Sequence, residues 1–183
     1  MDFSSIINTL TGSDSVSQLS NISGTSEQDV SSILSSVIPQ LLNGAQEQAT
    51  NEDTATSFAN ALTSHGQQNT NDLSAFFGGI DLEDGQKIVD HLLGSDNAVA
   101  TAETLSTESG VASSSITSII SATAPLLMSL LGQQATSETQ TQAQEADAEG
   151  GFDLSSIVGS LFGGGDDGKE GGGLGSILSG LFK

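Results

Sequence analysis

Two stretches decide how this chain folds: Leu19 to Ala49, LSNISGTSEQDVSSILSSVIPQLLNGAQEQA, and Leu105 to Ala135, LSTESGVASSSITSIISATAPLLMSLLGQQA. Laid over each other at an offset of 86, without a gap, they agree at eleven of 31 positions, among them the pairs Ser23-Gly24 and Ser109-Gly110. Serine is abundant and inflates the score, so proline carries more weight. The only two prolines of the protein, Pro39 and Pro125, fall on equivalent positions. The stretches read as one supersecondary unit used twice, 19–49 and 105–135.

In the first unit Val30, Ile33, Leu34, Val37, Ile38, Leu41, Leu42 and Ala45 recur at steps of three and four, which puts them on one stripe of an α-helix. Ile116, Ile119, Ile120, Thr123, Leu127, Leu130 and Leu131 repeat that stripe in the second. A shorter apolar series precedes each Ser-Gly turn: Val16, Leu19 and Ile22 in one copy, Val99, Ala102 and Leu105 in the other. Each unit is therefore a helix, a turn and a longer helix. Thr25 and Gln28 have the spacing of a capping box, which would start the first long helix. Proline inside such a stripe lacks an amide hydrogen and crowds the carbonyl four residues back, so both long helices are expected to kink, freeing the carbonyls of Ser35 and Ser121.

Between the units, Phe58, Ala61 and Leu62 have helical spacing, Gln67 to Asn71 interrupt it, and Leu73, Phe76 and Phe77 follow before Gly78-Gly79. Asp81 to Leu93 reads as a further helix, capped by Asp81 with Asp84 beside the positive end of its dipole, and stopped by Gly94. Ile88, Val89, Leu92 and Leu93 are its expected buried stripe. No period-two alternation marks a strand, so the fold class is all-α: duplicated helix-turn-helix-like units with proline-kinked long helices around intervening helices.

Beyond Gln134 the composition turns polar, with nothing to bury, as in a flexible linker. Two glycine-separated amphipathic cassettes follow: Leu154, Ile157, Val158, Leu161 and Phe162, then Leu174, Ile177, Leu178, Leu181 and Phe182. A third relative, Phe3, Ile6, Ile7 and Leu10, opens the chain. The expected organisation is thus an N-terminal amphipathic segment (1–13), a helical domain (14–135), a polar linker (136–150) and a glycine-rich tail with two short helices (151–183).

Composition excludes several functions. The chain has 183 residues, 23 acidic side chains, three lysines and a formal charge of -20, and it lacks arginine, cysteine, tryptophan and tyrosine. Disulfides and thiolate metal sites are impossible. Lys87, Lys169 and Lys183 cannot build the basic patch that a nucleic acid requires. The start MDFSSIINTL carries aspartate where a secretory signal carries lysine or arginine, and Ile116 to Leu131 falls short of the roughly 20 apolar residues of a membrane span. A cytoplasmic location is expected.

The Ser-Gly turns, the apolar stripes and the segments Pro39-Gln40-Leu41-Leu42 and Pro125-Leu126-Leu127-Met128 resemble the bacterial domain-of-unknown-function family 937, grouped with YidB-like proteins. Gly85-Gln-Lys-Ile-Val-Asp-His-Leu-Leu-Gly94 is similar to that family's recurring middle helix. The resemblance covers about Asp14 to Gln134, and it implies an all-helical, partly helix-turn-helix-like fold of uncharacterised role without catalytic residues. Acidic Glu27, Asp29 and Glu47 on the first long helix are the wrong charge for DNA, and the second offers only serine, threonine and glutamine.

Chemistry-bearing motifs are sparse. Gly163-Gly-Gly-Asp-Asp-Gly168-Lys169-Glu170 follows a phosphate loop for seven positions, but Glu170 replaces the magnesium-binding hydroxyl and two aspartates would repel phosphate, so it reads as a linker. Asp81-Leu-Glu-Asp-Gly85 lacks the ligand spacing of a calcium loop and reads as a cap. His65 and His91 would need carboxylates from elsewhere to hold zinc. No serine lies in a nucleophile elbow. The expectation is a non-enzymatic helical protein without cofactor, metal or small-molecule substrate, which binds a protein partner or itself. The candidate surface is the apolar face of the three terminal cassettes, docked in apolar grooves. The alternative is attachment to a membrane surface through the Leu-Phe ends, Phe162 and Phe182, and a third possibility is that the cassettes cover the chain's own domain.

Overall fold

The structure, a computed structural model, describes residues 3–142. They form eight α-helices and, among the described residues, no strand: α1 (Phe3–Leu10), α2 (Ser13–Ser23), α3 (Glu27–Thr50), α4 (Ala55–Gly66), α5 (Leu73–Gly78), α6 (Leu82–Leu93), α7 (Ser95–Ser109) and α8 (Ser113–Gln142). The fold is all-α, as the periodicity requires. The glycine-rich tail 151–183, with its phosphate-loop-like segment, lies outside the described residues.

Helix α8 is the centre. It packs on α1, α2, α3, α4, α6 and α7, and every residue from Ile119 to Gly132 is buried. Its apolar side chains leave no face to give to water, which is what a helix enclosed on all sides requires. By length and composition Ser113–Ala135 could cross a membrane, a longer stretch than the sequence reading allowed, but 83% of its most apolar window is covered by the rest of the fold. The hydroxyls inside this helix are satisfied locally or by neighbours: Thr123 Oγ1 donates to the Ile119 carbonyl (2.7 Å), Ser129 Oγ to the Pro125 carbonyl (2.9 Å) and Ser121 Oγ to Gln86 Oε1 (3.0 Å).

Helix α3 differs from α8 in keeping one wet face. Val30, Ile33, Leu34, Val37, Ile38, Leu41, Leu42 and Ala45 are buried as their spacing predicts, while Ser31, Ser32, Ser35, Ser36 and Gln40 are exposed. At the aligned positions the exposed Ser36 and Gln40 of α3 are replaced by the buried Ala122 and Leu126 of α8, which extends the apolar surface of α8 to the side that α3 keeps wet. Pro39 and Pro125 both lie inside their helices, the first exposed and the second buried.

Helices α2 and α7 end alike. Gly24 and Gly110 adopt left-handed backbone (φ 67° and 74°), and their N–H groups donate to the carbonyls of Ser20 and Ser106 at 2.9 Å. Glycine is the residue that takes this conformation without a Cβ penalty. The preceding serines bond alike too, Ser23 Oγ to the Leu19 carbonyl (2.7 Å) and Ser109 Oγ to that of Leu105 (2.6 Å).

Four local expectations need correction. The cap of α3 is Ser26, one residue after Thr25: its Oγ accepts from Asp29 N–H (3.2 Å) and donates to the Asp29 carboxylate (2.6 Å), so the third-position partner is Asp29, bound through the serine hydroxyl, and not Gln28. On α7 the buried side is Ala98, Ala102 and Leu105, whereas Val99 is 57% exposed. The stripe of α6 includes Gly85 with Val89 and Leu92, and Ile88 and Leu93 are half-buried. Finally, α8 continues to Gln142 and so takes up the first residues of the expected linker, because no glycine or proline after Ala135 stops it.

Three glycine contacts set the helix spacing. A Cβ on Gly85 of α6 would overlap the Ser121 carbonyl of α8, the carbonyl to which Pro125 has no N–H to offer. One on Gly44 of α3 would overlap the Leu92 carbonyl of α6, and one on Gly132 of α8 the Leu62 carbonyl of α4. At each crossing the missing side chain lets two backbones meet.

Candidate functional site

The first of the three cassettes proposed as an interaction surface is committed to the chain's own core. Ile6 and Leu10 of α1 are 0% and 1% exposed and Ile7 is half-buried, with α1 seated on α2 and α8. Phe3 is the first residue of α1. Ser15 Oγ ties the turn by donating to the Thr9 carbonyl (2.6 Å). Ile6 and Leu10 therefore do not face outward: their apolar area is removed from water by the domain itself, the lowest-cost place for it. The expected boundary at residue 13 separates two helices of one body. The other candidate residues, Leu154, Ile157, Val158, Leu161, Phe162, Leu174, Ile177, Leu178, Leu181 and Phe182, lie outside the described residues.

A cleft of about 220 Å³ opens between α4 and α6 over α8. Helix α4 contributes Phe58, Ala61 and His65, α6 contributes Lys87, Ile88, His91 and Leu92, and Met128 of α8 reaches it from below. Phe58, Leu92 and Met128 are buried (4%, 4% and 2% exposed), so the base is apolar, while Lys87 and His91 stand exposed at the edge. The glycine contacts hold these walls: Gly132 brings α4 onto α8, Gly85 brings α6 onto α8, and Gly44 anchors the C-terminal end of α6. Gln48 Nε2 of α3 adds a bond to the His91 carbonyl (2.8 Å). Among the described residues no Asp or Glu lines the cleft.

Two other concavities have a different character. A polar groove of about 610 Å³ runs between α3 and α7, edged by Glu47 and Glu108 and crossed by a bond from Thr101 Oγ1 to Gln40 Oε1 (3.1 Å). A hollow of about 430 Å³ collects Asp72, Asp81 and Asp84 near His65. Asp72 and Asp81 are engaged as helix caps, accepting from Ala75 N–H (3.0 Å) and from Glu83 N–H (2.9 Å). Among the described residues no group of three His, Asp or Glu is placed to hold a metal ion. His65 Nδ1 lies 3.4 Å from Gln68 Nε2, and His91 is bonded through its main-chain carbonyl. Among the described residues neither imidazole is paired with a carboxylate in the arrangement of a base and its orienting group.

A family model described as "Bacterial protein of unknown function (DUF937)" matches residues 5–134, well over half of the chain. The chain belongs to this family. The DUF937 match begins inside α1 and ends inside α8, so α1 is part of the DUF937 unit, and the resemblance read from about Asp14 extends further towards the N-terminus. No match is found among curated proteins or among solved structures.

Proposed function

We propose that this DUF937 protein is a non-enzymatic, cytoplasmic assembly module in which the segments around 154–162 and 174–182 dock as amphipathic helices on another protein, in the first instance a second copy of the chain. One observation carries the reading. The cassette seen in the structure, α1, seats Ile6 and Leu10 completely in a helical groove on α2 and α8, and its pattern Asp2-x-Ser4-Ser5-Ile6-x-x-x-Leu10 recurs as Asp153-x-Ser155-Ser156-Ile157-x-x-x-Leu161. A short helix of this kind is marginal on its own in water, and a second copy offers a seat of fitting shape, which the incoming segment takes by exchanging with that copy's own α1.

The test compares the intact chain with a form lacking 151–183 and with the double substitution Ile157→Asp, Ile177→Asp. Light-scattering mass and crosslinking in cells are expected to show assemblies for the intact chain and their loss in both altered forms. Equal masses and equal crosslinks in all three would overturn the proposal. Recovery of the intact chain on neutral vesicles, without protein crosslinks, would replace it with the membrane-surface reading.

A further inference from the structure

All three side chains of the described residues that can carry positive charge, Lys87, His65 and His91, line one cleft, which no described Asp or Glu lines, in a chain of net charge -20. From this juxtaposition we propose that the α4–α6 cleft binds a small organic monocarboxylate with an aromatic or short acyl body.

The placement follows from the helices. Lys87 and His91 are one turn apart on α6, on the same face by the four-residue spacing, and His65 comes from the last turn of α4 on the opposite wall. The polar ends of Lys87 and His91 are available, while His65 Nδ1 lies 3.4 Å from Gln68 Nε2. The Lys87 ammonium makes no hydrogen bond or ion pair among the described residues, and the His91 ring makes none either. The base of the cleft supplies the other half of the recognition. Phe58, Leu92 and Met128 are at most 4% exposed and offer an apolar floor against which a ring or short chain loses water. Size sets the scale of the body: an enclosed cavity of about 150 Å³ accommodates benzene, so a cleft of about 220 Å³ suits a phenyl or a chain of a few carbons.

Charge limits the head. The acidic remainder of the molecule repels any anion, with a cost that grows with ligand charge and fades beyond about 8 Å at physiological salt. A single negative charge beside Lys87 gains from the local cations at the smallest long-range cost, which favours a carboxylate over a phosphate dianion.

The experiment uses the intact chain and phenylacetate, read by proton NMR at constant pH. His65 and His91 are the only histidines, so two imidazole signals report on the two walls, assigned with His65→Gln and His91→Gln. Phenylacetate is expected to shift both along one saturable curve in the millimolar range, and uncharged 2-phenylethanol to bind at least about fivefold more weakly. Lys87→Gln should weaken phenylacetate by about fivefold or more and leave the alcohol unchanged, and Ala61→Trp, which fills the cleft, should abolish both. Absence of a saturable shift up to about 20 mM would overturn the proposal. So would an equal response to sodium chloride, or an affinity for phenylacetate that Lys87→Gln does not change. Each variant's melting curve confirms that it is folded before it is counted.

Discussion

At Gly85 a Cβ would run into the Ser121 carbonyl, whereas at Gly78, the last residue of α5, it would meet nothing within 4 Å. Alanine outranks glycine in helices by roughly 1 kcal/mol, so the two positions separate propensity from packing. Gly78→Ala is expected to leave stability unchanged or raise it by up to about 0.5 kcal/mol. Gly85→Ala should lower it by about 1 to 3 kcal/mol, because α6 must move away from α8. Urea midpoints at constant slope measure both, and a Gly85→Ala protein as stable as its parent would refute the close crossing. Nothing in the residues around Gly85 announces this demand, since the backbone it meets is on a distant helix. The same holds for the cleft. The four-residue spacing of Lys87 and His91 was legible, but His65 joins them only because α4 and α6 both lie on α8.

Capping is decided one element at a time, and α3 distinguishes two neighbouring hydroxyls. Ser26→Ala removes the acceptor of the Asp29 N–H and is expected to cost about 1 kcal/mol, while Thr25→Ala, outside the cap, should cost less than half as much. Thermal unfolding of the two variants provides the comparison, and the reverse order would restore Thr25 as the cap. Both residues carry a hydroxyl and both precede a polar residue at the third position, so local chemistry alone did not choose. The choice follows the first helical residue, Glu27, and with it the extended backbone of Ser26 (φ -63°, ψ 149°). Val99 makes the same point for α7. Its hydrophobicity suggested a buried position, yet Ala98 takes the inner side, because a small side chain suits a close helix contact and the phase of a weakly amphipathic helix is set by its neighbours.

For the whole molecule, charge is the dominant long-range term. A formal charge of -20 makes the folded body repel itself, and salt screens that repulsion. Raising sodium chloride from about 10 to about 300 mM is expected to stabilise the protein by about 1 to 2 kcal/mol, seen as a rise in melting temperature of about 2 to 8 °C. A flat melting temperature over that interval would mean that the carboxylates are spaced too widely to interact, in the unfolded chain as in the folded one.

Helix periodicity, the Ser-Gly stops at Gly24 and Gly110, the Asp81 cap and the class of the fold were determined by the sequence alone, because each depends on residues within a turn or two of one another. The rank of the two long helices was also latent there, in the exchange of Ser36 for Ala122 and Gln40 for Leu126, but only packing showed its consequence, with α8 enclosed and α3 left half in water. Tertiary structure alone decided that Ile6 and Leu10 belong to the core and that three basic side chains share one cleft. Those outcomes depend on which apolar surfaces meet across the chain, and a stripe of aliphatic residues states that it must be covered without stating by what.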